Sequence, residues 1–165
     1  MNLILCEKPS AARQISSVLG AKMKRGGYFE GNGYLVSWCL GHLVELAAPK
    51  AYDERYDKWN LTDLPVIPAV WKHFAVPDKM NQIDILHKLM QNAQVNTVIN
   101  ACDAGREGEL IFRLVYDYCA CDKPVQRLWI SSMEEKAIKT GFETLKPGAD
   151  YDALFQSALC RSQAD

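Results

Sequence analysis

No apolar run in this sequence approaches the about 20 residues that a membrane span needs, so no membrane partner is expected. The opening residues carry no basic region ahead of their short apolar run, which argues against a secretory leader. An excess of basic charge is also missing: Lys and Arg number 19 against 20 Asp and Glu, for a formal net charge of -1. A whole-surface field for nucleic acid is thereby excluded, and any such contact must rest on local features. There is no C-x-x-C pair. Cys119 and Cys121 form C-x-C, but no second pair or histidine cluster accompanies them, so no zinc site is expected. Six cysteines in a chain of this size do not read as a disulfide framework, and a reducing cytoplasm fits best. Neither G-x-G-x-x-G nor a P-loop is present, which removes the common nucleotide-binding loops. Repeats and low-complexity segments are absent as well.

What is present is an alternation of short apolar runs and amphipathic stretches. Leu3–Cys6 reads as a buried strand and Ser10–Leu19 as a helix, with Ser10 near its N-cap and Gly20 just past its end. Tyr28–Glu30 and Tyr34–Trp38 flank Gly31-Asn32-Gly33, a hairpin signal. Residues 48–79 are rich in proline and aromatics and read as irregular, with the aromatics forming a local core. Met80–Asn92 reads as a helix with Ile83, Leu86, Leu89 and Met90 inward. Thr97–Cys102 and Val125–Ile130 are two further strands, and Leu110–Tyr118 is a helix. Ser132 and Glu135 suggest a capping box for a helix through Thr144. Asp152–Asp165 begins another helix with no stop signal, so the chain is expected to be cut within an element. This order predicts an α/β fold with a mainly parallel central sheet flanked by helices.

In such sheets ligands bind beyond the carboxyl ends of the strands. Glu7 follows the first strand and Asp103 follows the Thr97–Cys102 strand, so both carboxylates aim at one rim if the strands are neighbours. Glu107 and Glu109 lie in or after the next turn. Converging carboxylates repel unless a cation intervenes, and hard oxygen ligands suit Mg²⁺. Lys8 and Arg106 stand beside these acids and can hold phosphate oxygens. Acids with basic neighbours at one rim suggest metal-assisted phosphoryl transfer. Taken singly, Glu7-Lys8-Pro9 and Arg106-Glu107-Gly108-Glu109 are equally the charged first turns of surface helices. Their occurrence together, at two strand-to-helix turns, favours the site.

The opening Leu3-Ile4-Leu5-Cys6-Glu7-Lys8-Pro9-Ser10 resembles that of type IA DNA topoisomerases. The run Ala101-Cys102-Asp103-Ala104-Gly105-Arg106-Glu107-Gly108-Glu109 resembles the acidic motif of their Toprim domain. The segment from Gly41-His42-Leu43-Val44-Glu45-Leu46 to Leu64-Pro65 is similar to the topoisomerase III branch. Arg127-Leu128-Trp129-Ile130-Ser131-Ser132 resembles the strand and helix that follow, and Ala158–Asp165 resembles the start of the next domain. The resemblance implies a Toprim, Rossmann-like domain over about residues 1–150, with an irregular insertion at about 41–79, and the start of a further domain at 151–165.

It further implies a bacterial, cytoplasmic enzyme that cuts one strand of single-stranded DNA through a 5′-phosphotyrosine. The tyrosine would lie in the remaining topoisomerase domains, outside this chain. Glu7, Lys8 and Arg106 would be catalytic, and Glu7, Asp103 and Glu107 would hold Mg²⁺. His42, Arg113 and Arg161 would contact DNA, although Arg161 and Asp165 are also spaced as a helix-surface ion pair. The motif departs from the usual D-x-D at Gly105, which offers no ligand and is expected to serve a turn with φ > 0. Rival readings are a Toprim domain of a primase, nuclease or DNA-binding scaffold, and a receiver-like Mg²⁺-binding domain. The latter would need a paired acid at the first strand and a lysine after a late strand, and neither is present.

Overall fold

A computed structural model describes residues 1–165. The elements, in chain order, are β1 (Asn2–Cys6), α1 (Pro9–Leu19), β2 (Met23–Arg25), β3 (Tyr28–Gly31), β4 (Tyr34–Trp38), β5 (Val44–Leu46), β6 (His73–Ala75), α2 (Met80–Met90), β7 (Thr97–Ala101), α3 (Arg106–Tyr118), β8 (Val125–Arg127), α4 (Glu135–Glu143), β9 (Lys146–Pro147) and α5 (Asp152–Ala164). Seven strands form one sheet in the order β2-β3-β4-β1-β7-β8-β9. The four central strands β4, β1, β7 and β8 run parallel, and the outer pairings are antiparallel. No helix is long and apolar enough to cross a membrane.

β1 is buried on both faces, as a central parallel strand must be. Its pleat sends Leu3 and Leu5 into the core shared with Ile83, Leu86 and Met90 of α2, Phe112 and Val115 of α3, and Ala158 of α5. Ile4 and Cys6 enter the opposite core with Ala12 and Ile15 of α1 and Ile138 of α4. Each such large aliphatic side chain contributes about 1.5–3 kcal/mol by burial. The apolar face predicted for α2 is the face that packs. Asn32 and Gly33 take φ of 49° and 81° and close the β3–β4 hairpin, as a two-residue turn with both central residues at φ > 0 requires.

Several boundaries differ from the sequence reading. α1 starts at Pro9, with Lys8 in the extended N-cap position and no side-chain cap, because proline at the first helical turn is preset for it. α3 starts at Arg106 rather than Leu110, so the acidic motif is a helical turn and not a loop. β8 ends at Arg127, three residues early. The Ser132–Glu135 capping box does not form: the Ser132 hydroxyl accepts from the Glu134 amide, and α4 begins at Glu135. β2, which has no apolar alternation, was not legible; it is an exposed edge strand held by pairing with β3. The 48–79 segment is irregular with four short 3₁₀ turns, but His73–Ala75 near its end form β6, which pairs with β5 and closes the insertion. Tyr52 and Trp71 pack edge to face there, whereas Trp59 is 83% exposed and belongs to no local core.

Candidate active site

The chain goes from β1 by way of α1 and the β2–β3 hairpin to β4 on one side, then through α2 to β7 on the other. The crevice at the carboxyl ends of β1 and β7 is therefore a topological switch point, the usual place for a ligand. β1 and β7 are in register, Cys6 opposite Ala101, which brings the residues that follow each strand together. Lys8 Nζ lies 3.7 Å from Glu7 Oε1 and 3.4 Å from Asp103 Oδ2. The Glu7 side chain is 13% exposed and that of Asp103 is 59% exposed, so one acid is sheltered and the other faces solvent. Asp103, by its charge and its hydrogen bond, holds the Lys8 ammonium above the ordinary lysine range, and Glu7 adds to this.

Glu107, in the first turn of α3, stands apart from that pair: its Oε2 is 3.0 Å from His42 Nε2. No three acid, histidine or cysteine side chains gather closely enough to hold a metal. His42 is itself held by its backbone. Lys79 Nζ donates to the carbonyls of Leu40 (2.9 Å) and His42 (2.8 Å), and Gly41 between them has φ 67°. Arg106 is exposed and has no ion pair. Gly105 is extended (φ 161°), contrary to the expected positive φ, and a Cβ there would meet open space. The glycine the site requires is Gly108, where a Cβ would lie 2.0 Å from the Asp103 carbonyl oxygen.

Glu109 does not face the rim. It is 1% exposed, and its carboxylate receives Asn100 Nδ2 (3.0 Å) and Arg113 Nε (3.3 Å) and pairs with Arg127. Burial pushes this carboxyl up against the pull of the two guanidiniums. Arg127, fully buried, donates to the carbonyls of Cys102, Leu128 and Asn100 from Nη1 and to Asp103 O (2.9 Å) from Nη2. Its Nε touches Glu109 Oε1 without hydrogen-bond alignment. Arg127 thus ties off the end of β7 that presents Asp103, a role hidden in what read as a core strand. An arginine inside an apolar run was the available signal. Arg113 spends its donors within the protein, on Glu109, Asp152 and the Gly148 carbonyl. Arg161 is exposed and 3.8 Å from Asp165, the expected helix-surface pair. All six cysteines are free, and burial pushes the Cys6 thiol well up, so it is an inert core group.

A family model described as "Toprim domain" matches residues 2–133. The chain is 48% identical over 164 residues to the "DNA topoisomerase 3" of Bacillus anthracis, covering 99% of this chain and 22% of that protein. It is also 48% identical over 164 residues to the "DNA topoisomerase 3" of Staphylococcus aureus (strain USA300), covering 99% of this chain and 23% of that one. It therefore spans less than a quarter of the length of the relatives it matches. Among solved structures, full-length topoisomerase I from Thermotoga maritima superposes with a TM-score of 0.56 at 19% identity, over 88% of this chain and 21% of that one, which is a likeness of fold.

Proposed function

This chain belongs to the Toprim domain family, and from that premise we propose that it is the Mg²⁺-binding catalytic domain of a bacterial, cytoplasmic type IA DNA topoisomerase of the topoisomerase III kind. Residues 1–150 would be the Toprim unit and 151–165 the lead into the next domain. The carrying observation is the Glu7–Lys8–Asp103 cluster, where two acids just beyond the ends of neighbouring parallel strands already hold one cation, the Lys8 ammonium, between them.

The carboxylate chemistry suits a hard divalent ion: Glu7 and Asp103 supply oxygens at the rim, and Mg²⁺ needs only one or two carboxylates besides water and phosphate oxygens, while Glu107, engaged with His42 in the adjoining turn, would have to move to become a third ligand. Bound there, Mg²⁺ would supply positive charge to the non-bridging oxygens of a phosphodiester. Lys8, released from Asp103, would donate to the same phosphate. Glu7, sheltered beside it, would act at the departing 3′ oxygen of single-stranded DNA in one of two ways: through the metal as a ligand, or by passing on to that oxygen the proton that the attacking tyrosine gives up. Arg106, exposed and unpaired, and His42 across the rim would hold flanking phosphates. Arg113 and Arg161 are the remaining candidate DNA contacts, of which Arg161 is the more accessible. The nucleophilic tyrosine would come from another domain of the enzyme. Thermal melts test the metal site: Mg²⁺ should raise the melting temperature of the wild-type chain and leave Asp103→Ala unmoved. An equal response from both would remove Asp103 from the site.

A further inference from the structure

Three aromatic and cationic side chains beyond the acids form an assembly that the proposed reaction does not use. Trp129 follows β8 at the same carboxyl rim and is 43% exposed. Its indole stacks on Tyr151, with ring centroids 5.1 Å apart at 23°. The Arg127 guanidinium lies 4.9 Å from the indole and 5.9 Å from the phenol. These three separations are nearly equal. Were Arg127 on the face opposite Tyr151, it would lie about twice as far from the phenol. Arg127 is therefore not directly opposite Tyr151 across the indole, and 43% of Trp129 stays exposed.

The same guanidinium donates to the Asp103 carbonyl, so a single side chain links the catalytic rim to the aromatic stack. Two adjoining clefts run between them. The first, about 430 Å³, is lined by Asp103 and Ala104; the second, about 500 Å³, is lined by Trp129, Lys136 and Thr140. They share Ile130, Ser131 and Ser132. The first cleft is mostly apolar apart from Asp103 and the two serines; the second adds the hydroxyls of Thr140 and Thr144 and the Lys136 ammonium, with Glu134 as its only acid. Hydroxyls and a lysine suit a sugar–phosphate backbone, and a supported, part-exposed indole suits a base of any identity.

We propose that Trp129, propped by Tyr151 and Arg127, is a stacking platform for one nucleobase of the single strand whose phosphate lies at Glu7, Lys8 and Asp103. This rests on the single-stranded DNA reading above. Stacking on one aromatic contributes about 1–3 kcal/mol per base, and it releases no counterions, so it leaves the salt dependence unchanged.

The test is a fluorescence-anisotropy titration of the chain with labelled decathymidylate and with a decamer of abasic residues, which has the same charge and no bases. The wild type should favour the thymidylate, and Trp129→Ala should weaken it by about 5- to 150-fold, to the level of the abasic strand, with the salt slope unaltered. Trp129→Phe should keep most of the preference. An unchanged preference in Trp129→Ala overturns the proposal, as does an equal loss of both strands, which would mark a structural role. If the wild type binds neither strand at any salt, the single-strand reading of the whole site fails, and the platform with it.

Discussion

Asp103 is held in place by groups that have no part in the proposed chemistry. Gly108 lets the first turn of α3 close against its carbonyl, and Arg127 binds that carbonyl from below. Gly108→Ala would put a methyl group 2.0 Å from the Asp103 oxygen, so backbone must move. The expected cost is about 1–3 kcal/mol, read as a lower melting temperature, together with loss of the Mg²⁺ response. A variant that keeps both would show that the turn yields freely. Gly105 behaves oppositely. It is extended with open space at its Cβ, so Gly105→Asp adds a carboxylate without backbone strain. Without metal, the new charge should lower the melting temperature through repulsion with Asp103 and Glu107. With Mg²⁺ the variant should gain more than the wild type does. A gain no larger than wild type would mean that position 105 does not face the ion.

Among the elements, α3 carries the most varied duties. Its first turn lies at the rim, its buried face fills the core, and its last turn locks the far end of the sheet. There the Tyr116 hydroxyl donates to the Lys123 carbonyl at 2.6 Å. Burial pushes the Tyr116 phenol up to about 12 from about 10, and the Cys119 thiol up to about 12 from about 9. Both folded values exceed the unfolded ones, so the folded state holds these protons more tightly. Their stabilisation is complete below about pH 9 and is lost as pH rises toward 12. Denaturant midpoints should therefore fall across that alkaline window. Tyr116→Phe combined with Cys119→Ser should flatten the fall; a double variant with the wild-type slope would assign it to other groups.

At the scale of the molecule, the chain matches 22–23% of the length of its relatives and carries a formal charge of -1. The 165-residue chain should neither relax supercoiled DNA nor form a covalent DNA adduct, since none of its seven tyrosines lies in a motif resembling the family's nucleophile. Robust Mg²⁺-dependent relaxation by the purified chain would contradict this. Its binding to single strands should be weak, in the range of about 10⁻⁴–10⁻⁶ M, and should fall with salt because only a few cations at the rim replace counterions. Tight, salt-insensitive binding would point to a second surface.

The sequence by itself determined what depends on local pattern. The apolar runs identify β1, β7 and β8, the period of α2 gives its buried face, and Asn32-Gly33 marks its turn, because pleat, helix pitch and turn stereochemistry are properties of short segments. The placement of Glu7 directly after its strand was likewise legible, and that of Asp103 nearly so, since β7 ends at Ala101, one residue before the expected Cys102. Tertiary structure decided everything that depends on which strands are neighbours. Only the order β4-β1-β7-β8 brings Lys8 between two acids 96 residues apart in sequence, from Glu7 to Asp103. Glu107 and Glu109 differ by two positions on one helix, yet one meets His42 at the rim and the other is buried on Arg127, because a helix turns about 100° per residue. Which glycine is indispensable was equally undecidable from composition: Gly105 and Gly108 are identical as letters, and only the distance from each absent Cβ to the Asp103 backbone tells them apart.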